Sequence, residues 1–252
     1  MILLKTPQEI EKMTASGAIL GDVLQKLLNK AAVGISTREL DEYADNLISQ
    51  AGAKPSFKME KNYNHATCMC VNDMVVHGVP NNYKLKDGDV LGIDAVVFYQ
   101  GWHSDASWTV RIGGVKEDKI GRFLSVGQQA LRLAIERCVP GNRVGDISKV
   151  IDEVVSQAGY SPVKQLVGHG IGRDLHEDQE IPCFLRGSVE NTEIIKEGMV
   201  FAVEVIYNQG KSPVIYDNND GWTIVTRDGS VSGLFEHTVA ITASGPRILT
   251  KV

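Results

Sequence analysis

The stretch Lys84 to Ser107, KLKDGDVLGIDAVVFYQGWHSDAS, decides the fold. Its centre, Val90 to Phe98, is almost all apolar and rich in Val and Ile, the pattern of a buried strand. Asp94 lies in the middle of that run. A lone carboxylate is costly to bury, so it needs a cation, a hydrogen-bond network or a metal. After Tyr99-Gln100-Gly101 the chain runs back through His103 to Val110 as a second strand-like segment. A hairpin turning at Tyr99-Gln100 sets Asp94 opposite Asp105, with Cβ atoms about 4.5–5.5 Å apart. Two carboxylates that close repel unless a proton or a metal ion lies between them.

The second half of the chain repeats this feature. Leu85 to Val97 (LKDGDVLGIDAVV) lies over Ile195 to Tyr207 (IKEGMVFAVEVIY), so that Lys86 falls on Lys196, Gly88 on Gly198 and Asp94 on Glu204. A further strand-like segment, Leu234 to Thr242, carries Glu236 among apolar residues as the strand of Val110 carries Asp105. A repeat that keeps the acid at corresponding points outweighs a reading as unrelated surface carboxylates.

At 252 residues the chain is long enough to bury a large core. A net charge of −5 leaves no basic footprint for nucleic acid or an anionic membrane. No apolar run reaches transmembrane length, and Met1 to Thr6 lack a signal-peptide pattern. Cys68 and Cys70 are too close for an ordinary disulfide framework, and Cys138 and Cys183 are isolated. Free thiols in a reducing cytosol are the plain reading, so a cytoplasmic protein is expected.

Thr6-Pro7-Gln8-Glu9 is a capping box with Pro at the first helical position, opening a helix over Thr6 to Asn29. Ser36-Thr37-Arg38-Glu39 opens a second, stopped by Gly52. Ala53 to Val76 reads as a loop leading into an edge strand. A third helix is expected over Glu117 to Val139 and a fourth over Asp146 to Ala158. Gly34 to Pro55 aligns with Gly141 to Pro162 without a gap, which puts helices two and four in equivalent places. Each half is thus helix, helix, strands. The expected architecture is α+β: a pseudo-twofold antiparallel sheet with two helices per half packed on its outer side. The two hairpins then meet near the axis and gather Asp94, Asp105, Glu204 and Glu236. No Pro- or Gly-rich linker separates the halves, so residues 1–252 are read as one catalytic domain with halves of about 1–115 and 116–252.

Two histidine segments belong near that meeting point: Val75 to Pro80, with His77, and Val167 to Gly172, with His169 between glycines, followed by His176. His65, His103 and His237 read as capped or surface residues. His103 shares a strand face with Asp105, and spacing leaves it open as a ligand. Four carboxylates with one or two histidines suit two divalent ions of the Mn, Fe, Co or Zn kind. Such a pair polarises a carbonyl and holds a hydroxide, which is hydrolytic chemistry. Further histidines are free for proton transfer or for an oxyanion. The residues alone leave the substrate open.

KTPQEIEKM, VNDMVVHGVP, GDVLGIDAVV, WHSDAS, GHGIGRDLHED, GMVFAVE and DGWTIVTRDGSVSGLFEHTVAIT, in this order, resemble the type I methionine aminopeptidases of peptidase family M24, which have the pita-bread fold. The resemblance covers nearly the whole chain. It implies that Asp94, Asp105, His169, Glu204 and Glu236 bind the metal pair, with Asp105 and Glu236 bridging. It also implies that Glu204 helps deprotonate the attacking water. His77 would contact the scissile amide nitrogen, and His176 the carbonyl oxygen. The implied reaction is removal of the initiator Met from nascent polypeptides whose second residue is small. A monomer working on nascent N-termini, with contact to the ribosome, is the implied setting. No separate N-terminal zinc-binding domain is expected.

Some positions depart from the family pattern. The loop that usually reads Tyr-His-Gly-Tyr/Phe-Pro is here Glu60-Lys61-Asn62-Tyr63-Asn64, and Val205-Ile206 stands where Pro-Met is usual. Tyr63 and Cys68 match the pocket for the Met side chain, with Phe57, Leu175 and Trp222 as companions; rings and sulfur suit a thioether. The competing readings are an enzyme of the Xaa-Pro aminopeptidase or dipeptidase kind and an inactive pita-bread binding module. The former relatives usually carry an added N-terminal domain. The latter would be expected to lose ligands, whereas all five positions are filled here.

Overall fold

The computed structural model describes residues 2–251 apart from Val115 and Asn218. The boundary between the halves, set at residue 115, falls outside the described residues. The four helices are α1 (Pro7–Lys30), α2 (Thr37–Gln50), α3 (Lys119–Ile135) and α4 (Val144–Gln157). The strands of the first half are β1 (Lys54–Pro55), β2 (Thr67–Val71), β3 (Met74–Val76), β4 (Val90–Tyr99) and β5 (Trp102–Arg111). Those of the second are β6 (Ser161–Pro162), β7 (Val167–Gly170), β8 (Glu177–Pro182), β9 (Val200–Asn208), β10 (Val214–Tyr216), β11 (Ile224–Thr226), β12 (Ser232–Thr242) and β13 (Gly245–Ile248).

The capping boxes that open α1 and α2 are both formed, by Thr6 with Glu9 and by Ser36 with Glu39. The third helix is shorter than its apolar pattern predicts. Asp118 caps it, accepting from the backbone N–H groups of Ile120 and Gly121, and turns replace the helix beyond Ile135. The fourth begins two residues before Asp146. That carboxylate is the third helical residue and reaches back to accept from the Arg143 N–H at 2.8 Å, so it closes the cap rather than being the cap.

The main sheet runs β1-β4-β5-β12-β9-β7-β8, with β2 beside β4 on the edge shared with β1. Strands β4 and β5 match β9 and β12, and the two halves join where β5 meets β12 in antiparallel. The hairpin register differs from the expectation. Tyr99 pairs with Trp102 and Asp94 with Ser107, while Asp105 faces Val96. The two-residue loop is Gln100-Gly101, with φ of 50° and 86°. Two positive φ values match the right-handed twist of the flanking strands, which a turn at Tyr99-Gln100 would not. Asp94 and Asp105 are therefore diagonal neighbours on one face.

Helix α1 packs on β4 and β5, and α3 on β9 and β12. Leu20, Leu24, Leu27, Leu40 and Ile48 pack with Ile93, Ala95 and Val97; Leu131, Ile135, Ile147 and Ile151 pack with Phe201, Val203, Val205 and Phe235. Each such Leu, Ile, Val or Phe side chain contributes about 1.5–3 kcal/mol by burial. These strand positions alternate with the acids, so the helices cover one face and leave the carboxylates on the other. Among the described residues no helix is long and apolar enough to cross a membrane.

Candidate active site

Strand pairing alone places the acids in a row. Cys68 pairs with Asp94, Asp94 with Ser107, Ser107 with Glu236, Glu236 with Glu204, and Ala202, two residues from Glu204, with His169. Directly paired residues share a face, as do residues two apart on one strand. Asp94, Asp105, Glu204, Glu236 and His169 therefore project from one face at the β5–β12 junction. The junction is stapled by Thr238. Its hydroxyl donates to the Asp105 carbonyl at 2.8 Å and receives the Asp105 N–H at 2.8 Å. Thr109 does the same for Leu234.

The cluster is too acidic to stand alone. Asp105, His169 and Glu236 each offer a ligand atom within 4.8 Å of the others. His169 Nε2 lies 3.6 Å from Glu204 Oε1 and 3.8 Å from Asp105 Oδ2. Asp94 Oδ1, Asp105 Oδ1 and Glu236 Oε1 are buried without a hydrogen-bond partner. Burial first, and for Asp105, Glu204 and Glu236 then the neighbouring carboxylates, push all four acids above the usual carboxylate range. Burial holds His169 down to about 4, so it is neutral. Its Nδ1 is 2.8 Å from the Gly170 carbonyl, which fixes the proton there and leaves the Nε2 lone pair facing the acids. Orphaned oxygens and a free imidazole lone pair are the donor set of a divalent cation, and the residues fit one.

This electrostatic state has a measurable consequence. The four acids keep protons in the native state that they lose near pH 4 when unfolded. Above about pH 7.5, a unit over the free imidazole value, the buried histidines are nearly all neutral in both states and drop out of the balance. Through Asp105, Glu204 and Glu236 the native state then binds more protons than the unfolded one, so metal-free protein loses stability as pH rises from about 7.5 to 8.5. Thermal unfolding with a chelator should show that fall, and Asp105→Asn should make it shallower. A melting temperature that rises with pH across this window would contradict it.

His77 directly follows β3 with φ of 58°, a left-handed angle that a non-glycine residue rarely takes. His176 stands on the turn between β7 and β8, its ring centroid 4.4 Å from that of His169. Burial lowers the pKa of both His77 and His176, keeping them neutral. They line two cavities in common. One, of about 110 Å³, is walled by Phe57, Tyr63, Cys68, Leu175 and Trp222, with Glu60 at its side. The other is a cleft of about 470 Å³ that also includes Gln165, His169 and Glu204. Tyr63 meets Phe57 and Trp222 edge-on at 5.8 and 5.1 Å, and its hydroxyl donates to the Thr67 carbonyl at 2.9 Å. Trp222 arrives from the β10–β11 connection of a small sheet ordered β10-β11-β3.

The remaining histidines are engaged elsewhere. His65 Nδ1 meets Asp41, His103 Nδ1 meets the Ser56 hydroxyl at 2.9 Å, and His237 Nδ1 meets the Thr250 hydroxyl at 3.1 Å. His103 thus commits Nδ1 to Ser56, and it is outside the group of Asp105, His169 and Glu236 that offers converging ligand atoms among the described residues. Sequence reading passed over Thr238 and Glu60. The first carried a signal, being two residues from Glu236 and so on its face. Glu60 carried one too, standing three residues before Tyr63 in the loop that departs from the family pattern.

A pseudo-twofold sheet presenting buried acids and an imidazole beside an apolar pocket defines a metal-dependent hydrolase. The chain belongs to metallopeptidase family M24, whose sequence description matches residues 11–243. It is 42% identical over 252 residues to a methionine aminopeptidase of Clostridium perfringens, covering 100% of both chains. The crystal structure of methionine aminopeptidase from Thermotoga maritima superposes with a TM-score of 0.94 at 37% identity, covering 100% of both chains. That from Rickettsia prowazekii gives 0.95 at 34% identity, covering 99% of this chain and 100% of the other. Membership of a metallopeptidase family implies divalent metal ions.

Proposed function

We propose that the protein is a metal-dependent methionine aminopeptidase that removes the initiator Met from nascent polypeptides with a small second residue. The observation that carries the reading is the pair of cavities sharing His77 and His176. The small, largely apolar pocket takes the Met side chain, the larger polar cleft takes the continuing chain, and the bond to be cut falls between them. The full-length similarity to methionine aminopeptidases supports the same reading.

In this reading Asp94, Asp105, His169, Glu204 and Glu236 would hold two divalent ions. Oxygen and imidazole donors suit Co, Mn, Fe or Zn. Bound there, the ions supply Lewis acidity and make water more acidic. A Glu204 carboxylate oxygen takes the proton of the attacking water. Neutral His176 donates its ring N–H to the scissile carbonyl oxygen as negative charge develops there. His77 stands at the amide nitrogen and assists departure of the amine. Phe57, Tyr63, Cys68, Leu175 and Trp222 hold the thioether and keep water from it. The setting that follows is the cytoplasm, at peptide N-termini leaving the ribosome, for a monomer that works as one catalytic domain.

The test is release of Met from Met-Ala-Ser compared with Met-Pro-, Ala-Pro- and Met-Leu- analogues, with each metal in turn. Met-Ala-Ser is expected to exceed the Met-Leu peptide by about tenfold or more, the scale of a few methylenes in a tight site. Preference for the Ala-Pro peptide would overturn the reading.

A further inference from the structure

We propose that Lys5 is a positioning residue for His176, acting through a buried ion pair with Glu177. The inference rests on the reading that His176 holds the scissile carbonyl. The Lys5 and Glu177 side chains are each only 5% exposed, and Nζ of Lys5 donates to the carboxylate. Both partners are anchored. Lys5 donates its backbone N–H to the Gly198 carbonyl at 2.7 Å, and its Nζ also reaches the Leu3 carbonyl at 3.1 Å. The other Glu177 oxygen accepts the Arg173 N–H at 2.8 Å. One carboxylate therefore closes the turn from Arg173 to Glu177, and His176 is carried on that turn.

The packing leaves the pair no room to swing. A Cβ at Gly172 would sit 2.4 Å from Glu177 Oε1 and 2.6 Å from Lys5 Cε, so the backbone lies directly against both side chains. The far end of the turn is tied to the same N-terminal region. The Arg173 guanidinium lies 4.3 Å over the Trp102 ring and donates to Glu9 of α1 at 3.1 Å. The Gly172 carbonyl accepts the His103 N–H at 2.8 Å. Residues 5–9 thus brace a turn some 170 residues away in sequence. Without the ammonium, Glu177 is a buried charge lacking its cation, and the turn must open to hydrate it. A hydrogen bond weakens steeply with misalignment, so His176 loses its aim while the acids, carried on other strands, keep theirs.

The experiment uses the metal-loaded full chain carrying Lys5→Met, alone and with His176→Asn, on Met-Ala-Ser. Lys5→Met should lower kcat by about thirtyfold with KM and metal content nearly unchanged, as expected for a small displacement of a reacting group. In the His176→Asn background the same substitution should change kcat by less than about twofold. A merely structural role would lower both backgrounds alike, and that result would overturn the proposal. In metal-free protein the His176 imidazole signals, assigned by their loss in His176→Asn, should shift in Lys5→Met while those of His65 stay. Unmoved His176 signals would also overturn it. If Lys5→Met does not fold, Glu177→Gln removes the same charge pair with its shape retained, and the same outcomes apply. Wild-type protein that releases no Met refutes the aminopeptidase reading instead, and the imidazole signals still decide the inference.

Discussion

Alanine at Asp105 or at Glu236 is expected to strip the site of metal and to lower turnover by about a thousandfold or more, with the fold intact. Both residues are at most 6% exposed, and each has a side-chain oxygen without a partner. Ordinarily, removing a buried polar side chain destabilises by leaving its partners unpaired. Here the main loss is the cost of burying an acid among other acids, burial first and the neighbouring carboxylates second, set for Glu236 against one long hydrogen bond of 3.3 Å from the Ser107 hydroxyl. The metal-free variants should therefore melt no lower than metal-free wild type, while the metal-loaded wild type melts higher than either because ions bind only the folded cluster. Metal content by atomic spectroscopy, kcat and thermal melts with and without chelator check the three parts. Full metal occupancy in either variant would remove that residue from the ligand set.

Substitution of His77 should separate catalysis from stability. Loss of the imidazole is expected to lower kcat by about 10²–10³-fold with metal content unchanged, the usual scale for a group that moves or holds a proton. An unchanged rate would take His77 out of the mechanism. The backbone supplies the second half of the prediction. At φ of 58° an L side chain is strained, and the Thr223 hydroxyl, 3.4 Å from the His77 carbonyl, helps to hold the angle. His77→Gly should thus be more stable than His77→Ala by about 1 kcal/mol, the reverse of their usual order. At this chain length that is a difference of roughly 2–4 °C in Tm. Equal melting temperatures would mean that the angle costs nothing.

The two halves differ in what could be read in advance. The apolar runs at Val90 to Phe98 and Val200 to Tyr207 and the boxes at Thr6 and Ser36 are short-range patterns, and they settled the central strands, the first two helix starts and the internal symmetry. The starts of the third and fourth helices were less legible. Asp118 and Asp146 look alike in sequence, but one caps its helix and the other sits inside it. The hairpin register was misjudged by one residue at the turn, which slides the partner by two. Because side chains alternate with a period of two, such a slide keeps every residue on its face. The gathering of the acids therefore survived an incorrect pairing.

Local chemistry in the chain was enough to say which carboxylates would be buried, on which face, and that two hairpins would bring them together. Only the tertiary structure decided that Glu204 faces Glu236 while Asp94 faces Ser107, that Trp222 meets Tyr63, and that Lys5 reaches Glu177. The physical reason is distance along the chain. Periodicity and caps act over a few residues and leave their mark in sequence, whereas contacts between remote segments follow from how the sheet closes and carry no local signature.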